Sequence, residues 1–165
     1  ETKRLILRPT CIGDADFILA LLNSPGWLEH IGDRDVHSVL EATNYIQDRM
    51  LPQYEEHGYG NFTVIRKEDG SKIGTSGIYA RPGMEDVDIG FSVLPEYMGK
   101  GYSYEAAVKM MWLAKHEFEI KKITAITTRA NIASQNLIMK LGMKFIKDVE
   151  FPGDNEILMQ FGVEL

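Results

Sequence analysis

Leu94-Pro95-Glu96-Tyr97-Met98-Gly99-Lys100-Gly101-Tyr102-Ser103-Tyr104-Glu105-Ala106 joins a β-rich segment to a long helical pattern. Pro95 closes the strand before it. Gly99 and Gly101 permit positive φ and a close approach of backbone to a ligand. The helix start that follows offers unpaired N–H groups and the positive end of its dipole, which together suit a phosphate or pyrophosphate. Two familiar phosphate loops fail here. The P-loop needs Ser or Thr after Gly-Lys, and Gly101 follows Lys100; the dinucleotide fingerprint needs a third glycine where Tyr104 stands. From the residues alone, an anion site and a plain turn both fit.

The pattern around this loop gives the order β-α-α-β-β-β-α-β-α-β-β. Upstream, Arg4–Pro9 reads as a strand. A helical pattern opens at Gly13-Asp14-Ala15-Asp16 with Asp14 as its N-cap and ends at Ser24-Pro25-Gly26, and a polar stretch from Trp27 to His37 follows. A second helix spans Ser38 to Glu56, with a capping box at Ser38/Glu41 and a stripe of Leu40, Ala42 or Thr43, Ile46 and Met50. Strands are expected at Phe62–Ile65, Lys72–Tyr79 and Val87–Leu94, the first two joined by the Asp69-Gly70 turn. The long helix runs from Tyr102 to Phe118, and Tyr104, Ala107, Met111, Ala114 and Phe118 share one face. Downstream come a strand at Ile123–Thr128, a helix at Asn131–Leu141 ended by Gly142, and strands at Met143–Val149 and Ile157–Val163. The strand–helix–strand unit from Val87 to Thr128 predicts a parallel pair inside a mixed, mostly antiparallel sheet with helices on its faces.

The chain has 165 residues, a formal charge of −6 and 44% hydrophobic residues, which suits a single domain over 1–165 with a core of its own. The acidic balance disfavours nucleic acid as a partner. No apolar run is long enough for a membrane span. The lone Cys11 cannot form an internal disulfide, so a cytoplasmic setting is expected, with the thiol as a small packing residue.

Downstream of the loop, Asn131 and Ser134 have N-cap and N3 spacing, and Lys140, Gly142 and Met143 follow. The ordered set resembles the GNAT superfamily of acyl-CoA N-acyltransferases over essentially the whole chain, in a branch that includes ribosomal-protein N-terminal acetyltransferases. The family's loop, Gln/Arg-x-x-Gly-x-Gly/Ala, maps onto Met98, Gly101 and Ser103, with departures at the first and last positions.

The resemblance implies an α/β (α+β) fold with a splayed central parallel pair, acetyl-CoA as cosubstrate, and direct attack by a primary amine of a small molecule or a protein N-terminus as acceptor. Gly99, Lys100, Gly101, Tyr102 and Ser103, with Met98, would hold the pyrophosphate. Phe91, Ser92 and Val93 would run beside the pantetheine arm, with a backbone N–H near Val93 polarising the thioester, and Asn131 would contact the arm. Asp88 would be the base and Ser134 the partner of the leaving thiolate, since the family's tyrosine is replaced by Ile138. Trp27, Glu29, His30 and Asp33 would meet the acceptor, with Asp35 a further acid. His30 and His37 lack metal spacing, so no metal is expected.

The chemistry needs help at two points. Near pH 7 about one alkylamine in 10³ is neutral, a barrier of roughly 4 kcal/mol. The thioester oxygen also gains charge and needs fixed donors. A non-catalytic acyl-CoA sensor is the alternative function.

Overall fold

The computed structural model describes residues 1–150 and 156–165. Its seven strands are β1 (Leu5–Pro9), β2 (Asn61–Arg66), β3 (Lys72–Tyr79), β4 (Val87–Val93), β5 (Lys122–Thr128), β6 (Lys144–Val149) and β7 (Leu158–Glu164). They form one sheet in the order β1-β2-β3-β4-β5-β7-β6. Every pairing is antiparallel except β4 with β5. That parallel register covers only Val87 opposite Ile123 and Asp88 opposite Thr124. Beyond Asp88 the two strands part, while β4 stays paired with β3 up to Val93 opposite Gly74.

The helices are α1 (Ala15–Leu22), α2 (Pro25–His30), α3 (Val39–Tyr45), α4 (Leu51–His57), α5 (Tyr102–His116) and α6 (Ile132–Lys140). Strand alternation sorts the sheet into two kinds of interior. Phe62, Ile78, Ile89, Ile123, Ala125 and Phe161 join Ala107, Met110 and Ala114 of α5 in one apolar core. Their chain neighbours Asn61, Thr63, Asp88 and Thr124 are equally buried but polar. Buried polar groups persist only where hydrogen bonds or a ligand satisfy them, so this second face is where chemistry can be housed. A separate cluster of Phe17, Ile18, Leu21, Leu22, Ala42 and Ile46 binds α1 to α3.

Several expectations are corrected. Asp14 holds the N-cap position of α1 as expected, but its side chain makes no capping bond to that helix; its carboxylate is drawn inward to Arg8 and Lys72. The buried face of α5 is Tyr102, Ala106, Ala107, Met110 and Ala114, turned from the expected stripe so that its alanines lie against the sheet. The polar stretch after Ser24 begins with a helix, α2, which has Pro25 in its first turn. The expected long second helix is α3 and α4 joined by a wide π turn over Ile46–Met50, where the Leu51 N–H reaches five residues back to the Ile46 carbonyl. Pro52, just beyond, has no N–H to donate to a regular turn. Leu40 is 70% exposed rather than part of the buried stripe. Cys11 is exposed rather than packed. Ser38 accepts the Glu41 N–H as an N-cap should. Among the described residues no helix is long and apolar enough to cross a membrane.

Candidate active site

Parting strands leave a wedge in the sheet, and a cleft with a cavity volume of about 490 Å³ opens there. One half is lined by Phe91, Ser92, Thr127, Thr128, Asn131, Ser134 and Ile138. The other half is lined by Trp27, His30, Arg34, Tyr45, Arg49, Tyr79, Arg81 and Asp88. Among the described residues, the buried side-chain polar atoms without a hydrogen-bond partner are Trp27 Nε1, Asp88 Oδ1 and Thr128 Oγ1. All three residues line this cleft. Three unmet groups converging on one cavity are what a site built for a polar ligand presents.

Asp88 sits at the apex of the wedge with its side chain 1% exposed. Arg81 Nε donates to Oδ2 at 2.7 Å. Burial pushes the Asp88 carboxyl up to about 6, against the pull of the Arg81 guanidinium and the Ile126 N–H. A carboxylate so placed is still ionised in about nine molecules of ten at pH 7 and is far more basic than an exposed one.

Backbone groups of β4 face the wedge as well. Leu94 N–H donates to the Ile73 carbonyl on the β3 side. Alternation then turns the N–H groups of Val93 and Phe91 toward the side that β5 has left.

In the glycine loop, Gly99 has φ 71° and Gly101 φ 78°. Gly101 is the N-cap of α5 in left-handed conformation with no side-chain cap, so the first N–H groups of α5 receive nothing from that position. A Cβ on Gly99 would meet nothing within 4 Å. Lys100 folds back, Nζ donating to the Glu96 carbonyl at 2.8 Å. Met98 is 49% exposed. Tyr102 is buried against Tyr97 and under the Arg4 guanidinium. Sequence reasoning missed the brace that fixes this corner: Glu105 accepts from Thr2 Oγ1, the Arg4 backbone N–H and Arg4 Nε, and Arg4 Nη1 donates to the Lys100 carbonyl. Its parts lie about a hundred residues apart in sequence, so no local signal marks it.

Asn131 Oδ1 accepts the Ser134 N–H at 3.1 Å and caps α6. That bond uses the amide oxygen and leaves the NH₂ group for a ligand. Of the residues expected at the acceptor, Trp27 and His30 line the cleft, three apart on one face of α2. Glu29 and Asp33 do not. Glu29 is 73% exposed beside His30, and Asp33 Oδ1 accepts the Asp35 N–H in an exposed turn. Asp33, Asp35 and His37 cluster at the surface with no second feature that marks a metal site. Arg34, Arg49 and Arg81, which among the described residues line the cleft against one carboxylate, Asp88, were not anticipated, because only folding places them together.

The acetyltransferase (GNAT) domain family matches residues 4–144 of the chain. Uncharacterized N-acetyltransferase YoaA of Bacillus subtilis (strain 168) is 27% identical over 145 residues, which cover 87% of this chain and 81% of that protein. RimL, a ribosomal L7/L12 alpha-N-protein acetyltransferase solved in complex with coenzyme A, superposes with a TM-score of 0.81 at 15% identity, over 99% of this chain and 96% of that one. A spermidine N-acetyltransferase from Vibrio cholerae, solved with CoA and spermine, gives a TM-score of 0.80 at 17% identity over 98% and 95%. The family match spans most of the chain, and the fold with its parted central strands agrees with it; the chain belongs to the GNAT family of N-acetyltransferases.

Proposed function

We propose that the chain, acting as a single domain, transfers an acetyl group from acetyl-CoA to a primary amine that carries a carboxylate. The observation that carries this reading is the convergence of unmet polar groups on a cleft whose acceptor half is cationic. The N–H groups of Gly99, Lys100, Gly101, Tyr102 and Ser103 hold the pyrophosphate, with Met98 beside them. The pantetheine arm lies in the wedge along Phe91, Ser92 and Val93, where the inward N–H groups of Phe91 and Val93 polarise the thioester, and the Asn131 amide donates to it. Asp88 takes the proton of the incoming ammonium, directly or through a water, and the Ser134 hydroxyl hydrogen-bonds the departing thiolate. Positioned acid–base groups of this kind contribute about 10²–10⁴-fold.

The acceptor class follows from charge. Arg34 and Arg49 are exposed at the rim and, unlike Arg81, have no ion-pair partner among the described residues; both also line a neighbouring hollow with Asp35, Glu41 and Asp48, acids that do not line the cleft. A carboxylate on the acceptor would meet these guanidiniums, which suit bidentate binding, while a polyamine would be repelled. A non-catalytic sensor is not favoured, since the relatives are N-acetyltransferases.

Release of thiol from acetyl-CoA, followed with glutamate, glycine, a peptide with a free acidic N-terminus and spermidine, tests the reading. Turnover is expected with the acidic amines above all. Faster turnover of spermidine overturns the acceptor class, and no acceptor-dependent thiol release overturns the catalytic reading.

A further inference from the structure

A buried chain of hydrogen bonds runs away from the cleft beneath the acceptor half. Tyr79 Oη donates to Asn61 Oδ1 at 2.5 Å, and Asn61 Nδ2 donates to Thr10 Oγ1 at 2.8 Å. Thr10 Oγ1 lies 2.9 Å from Thr63 Oγ1, and Thr63 donates to Asp14 Oδ2 at 2.9 Å. The chain ends at a carboxylate that Arg8 grips with two bonds and Lys72 with a third.

The far end fixes the direction of every link. Burial alone would raise the Asp14 carboxyl, but the bonds from Arg8, Lys72, the Cys11 N–H and Thr63 outweigh it and hold the group well below the usual carboxylate range. Asp14 therefore only accepts. Thr63 spends its one hydroxyl proton on Asp14, so Thr10 must donate to Thr63. Thr10 must then accept from the Asn61 NH₂ group, which turns Asn61 Oδ1 toward Tyr79. Tyr79 gives its only proton to that oxygen. Bonds aligned in one direction polarise each other and reinforce the order.

The tyrosine that results is unusual for an active-site cleft, because it has no proton to offer. Burial pushes its phenol up, so it stays neutral. Its ring is seated where side chains would not fit: a Cβ on Gly77 would lie 2.6 Å from Tyr79 Oη, and one on Gly90 2.9 Å from its Cε2. Tyr79 also stands opposite Asp88 in the β3–β4 register, so both point to one face.

We infer that Tyr79 Oη accepts an N–H of the incoming amine and orients it at Asp88, and that Asp14, four hydrogen bonds away, is a positioning residue that keeps Tyr79 in this accepting state. The inference rests on the reading of the cleft as an amine-acetylating site. In this state Tyr79 has no proton to give to the leaving thiolate.

The test uses the amine turned over best among glutamate, glycine, the acidic peptide and spermidine. Tyr79→Phe should raise its KM about tenfold and leave the calorimetric affinity for acetyl-CoA unchanged. Thr63→Val cuts the chain without touching the cleft; Thr10 and Asn61 can then reverse, and the amine KM should rise about threefold. Thr63→Ser keeps the hydroxyl and should restore wild-type KM, which a packing defect at this site would not allow. An unchanged amine KM in Tyr79→Phe overturns the inference alone, as does a Thr63→Ser variant that behaves like Thr63→Val. Absence of any amine acetylation by the wild-type protein overturns the reading of the site and the inference with it.

Discussion

Two carboxylates of the same residue type, both removed from water, are driven in opposite directions here. Asp14 receives bonds from two cations, a backbone N–H and a hydroxyl, and its charge is over-satisfied. Asp88 has one bond from Arg81 and a second oxygen with no partner, so desolvation prevails. The stability consequences differ in sign. Asp14, with a lowered folded value, contributes fully above about pH 4, its unfolded range, and loses that contribution as pH falls toward its folded value. Asp14→Asn should therefore cost about 3 kcal/mol at pH 7 by urea melts, at the low end for broken buried pairs because Arg8 and Lys72 are each about a third exposed. The gap should begin to narrow only below about pH 4. Asp88, raised to about 6, binds its proton more tightly folded than unfolded. Its ionisation lowers stability as pH rises between about 4 and 6. As a base it must be ionised, so wild-type kcat/KM should fall along a limb near pH 6. Asp88→Asn should lack that limb, and its deficit should shrink as pH approaches the amine's own pKa. A deficit constant from pH 6 to 10 would make Asp88 structural. The sequence marked Asp88 as a site residue. It could not distinguish Asp14 from a cap, because a cap is a local signal and the real partners of Asp14 come from β1, β2 and β3.

At the scale of elements, boundaries were legible wherever the signal is local: Pro9 closes β1, Asp69-Gly70 turns β2 into β3, and Gly142 follows α6 with φ 88°. What the sequence could not choose was the inward face of α5. Alanines and methionines occur on adjacent stripes of that helix, so periodicity allows either; the sheet selects the one with Ala106, Ala107 and Ala114, whose small side chains permit close packing. The segment after Ser24 shows the same limit. Read as a loop, it let every acid reach the acceptor. Folded as α2, it turns Trp27 and His30 inward and leaves Glu29 in solvent. The loop before α5 carries its own prediction. Gly101→Val would strain a left-handed position by about 1–2 kcal/mol whatever the ligand, so lost CoA affinity would be ambiguous. Gly101→Asn tolerates that conformation better and still adds a side chain at the start of α5. With its Cβ 3.4 Å from Arg4 Nη2 at the helix start, it should weaken acetyl-CoA by more than tenfold in calorimetry with a small change in Tm. Unchanged affinity would remove the loop from pyrophosphate binding. Asn131→Asp keeps the cap, since Asp caps about as well, but loses the amide donor and adds a negative charge. Turnover should fall while Tm holds; full turnover would leave Asn131 as a cap only.

Over the whole molecule, the net charge of −6 and the cationic acceptor rim oppose one another, and ionic strength decides which one an approaching acceptor meets. At 10 mM salt the Debye length is about 30 Å, comparable to the protein, and an anionic amine meets the field of the entire acidic surface. At 100 mM it is about 10 Å, and the acceptor feels mainly Arg34 and Arg49 near the cleft mouth. Further salt screens these as well. The kcat/KM of an acidic amine should therefore rise from 10 to about 100 mM salt and fall beyond it, whereas that of spermidine, attracted by the overall charge, should only fall. Arg34→Ala combined with Arg49→Ala should abolish the falling limb for the acidic amine and lower its kcat/KM about tenfold at 100 mM, roughly two exposed charge-assisted contacts. Acetyl-CoA affinity should not move, because neither residue belongs to the glycine loop. Equal salt profiles for the two amines would show that the rim arginines play no part in choosing the acceptor.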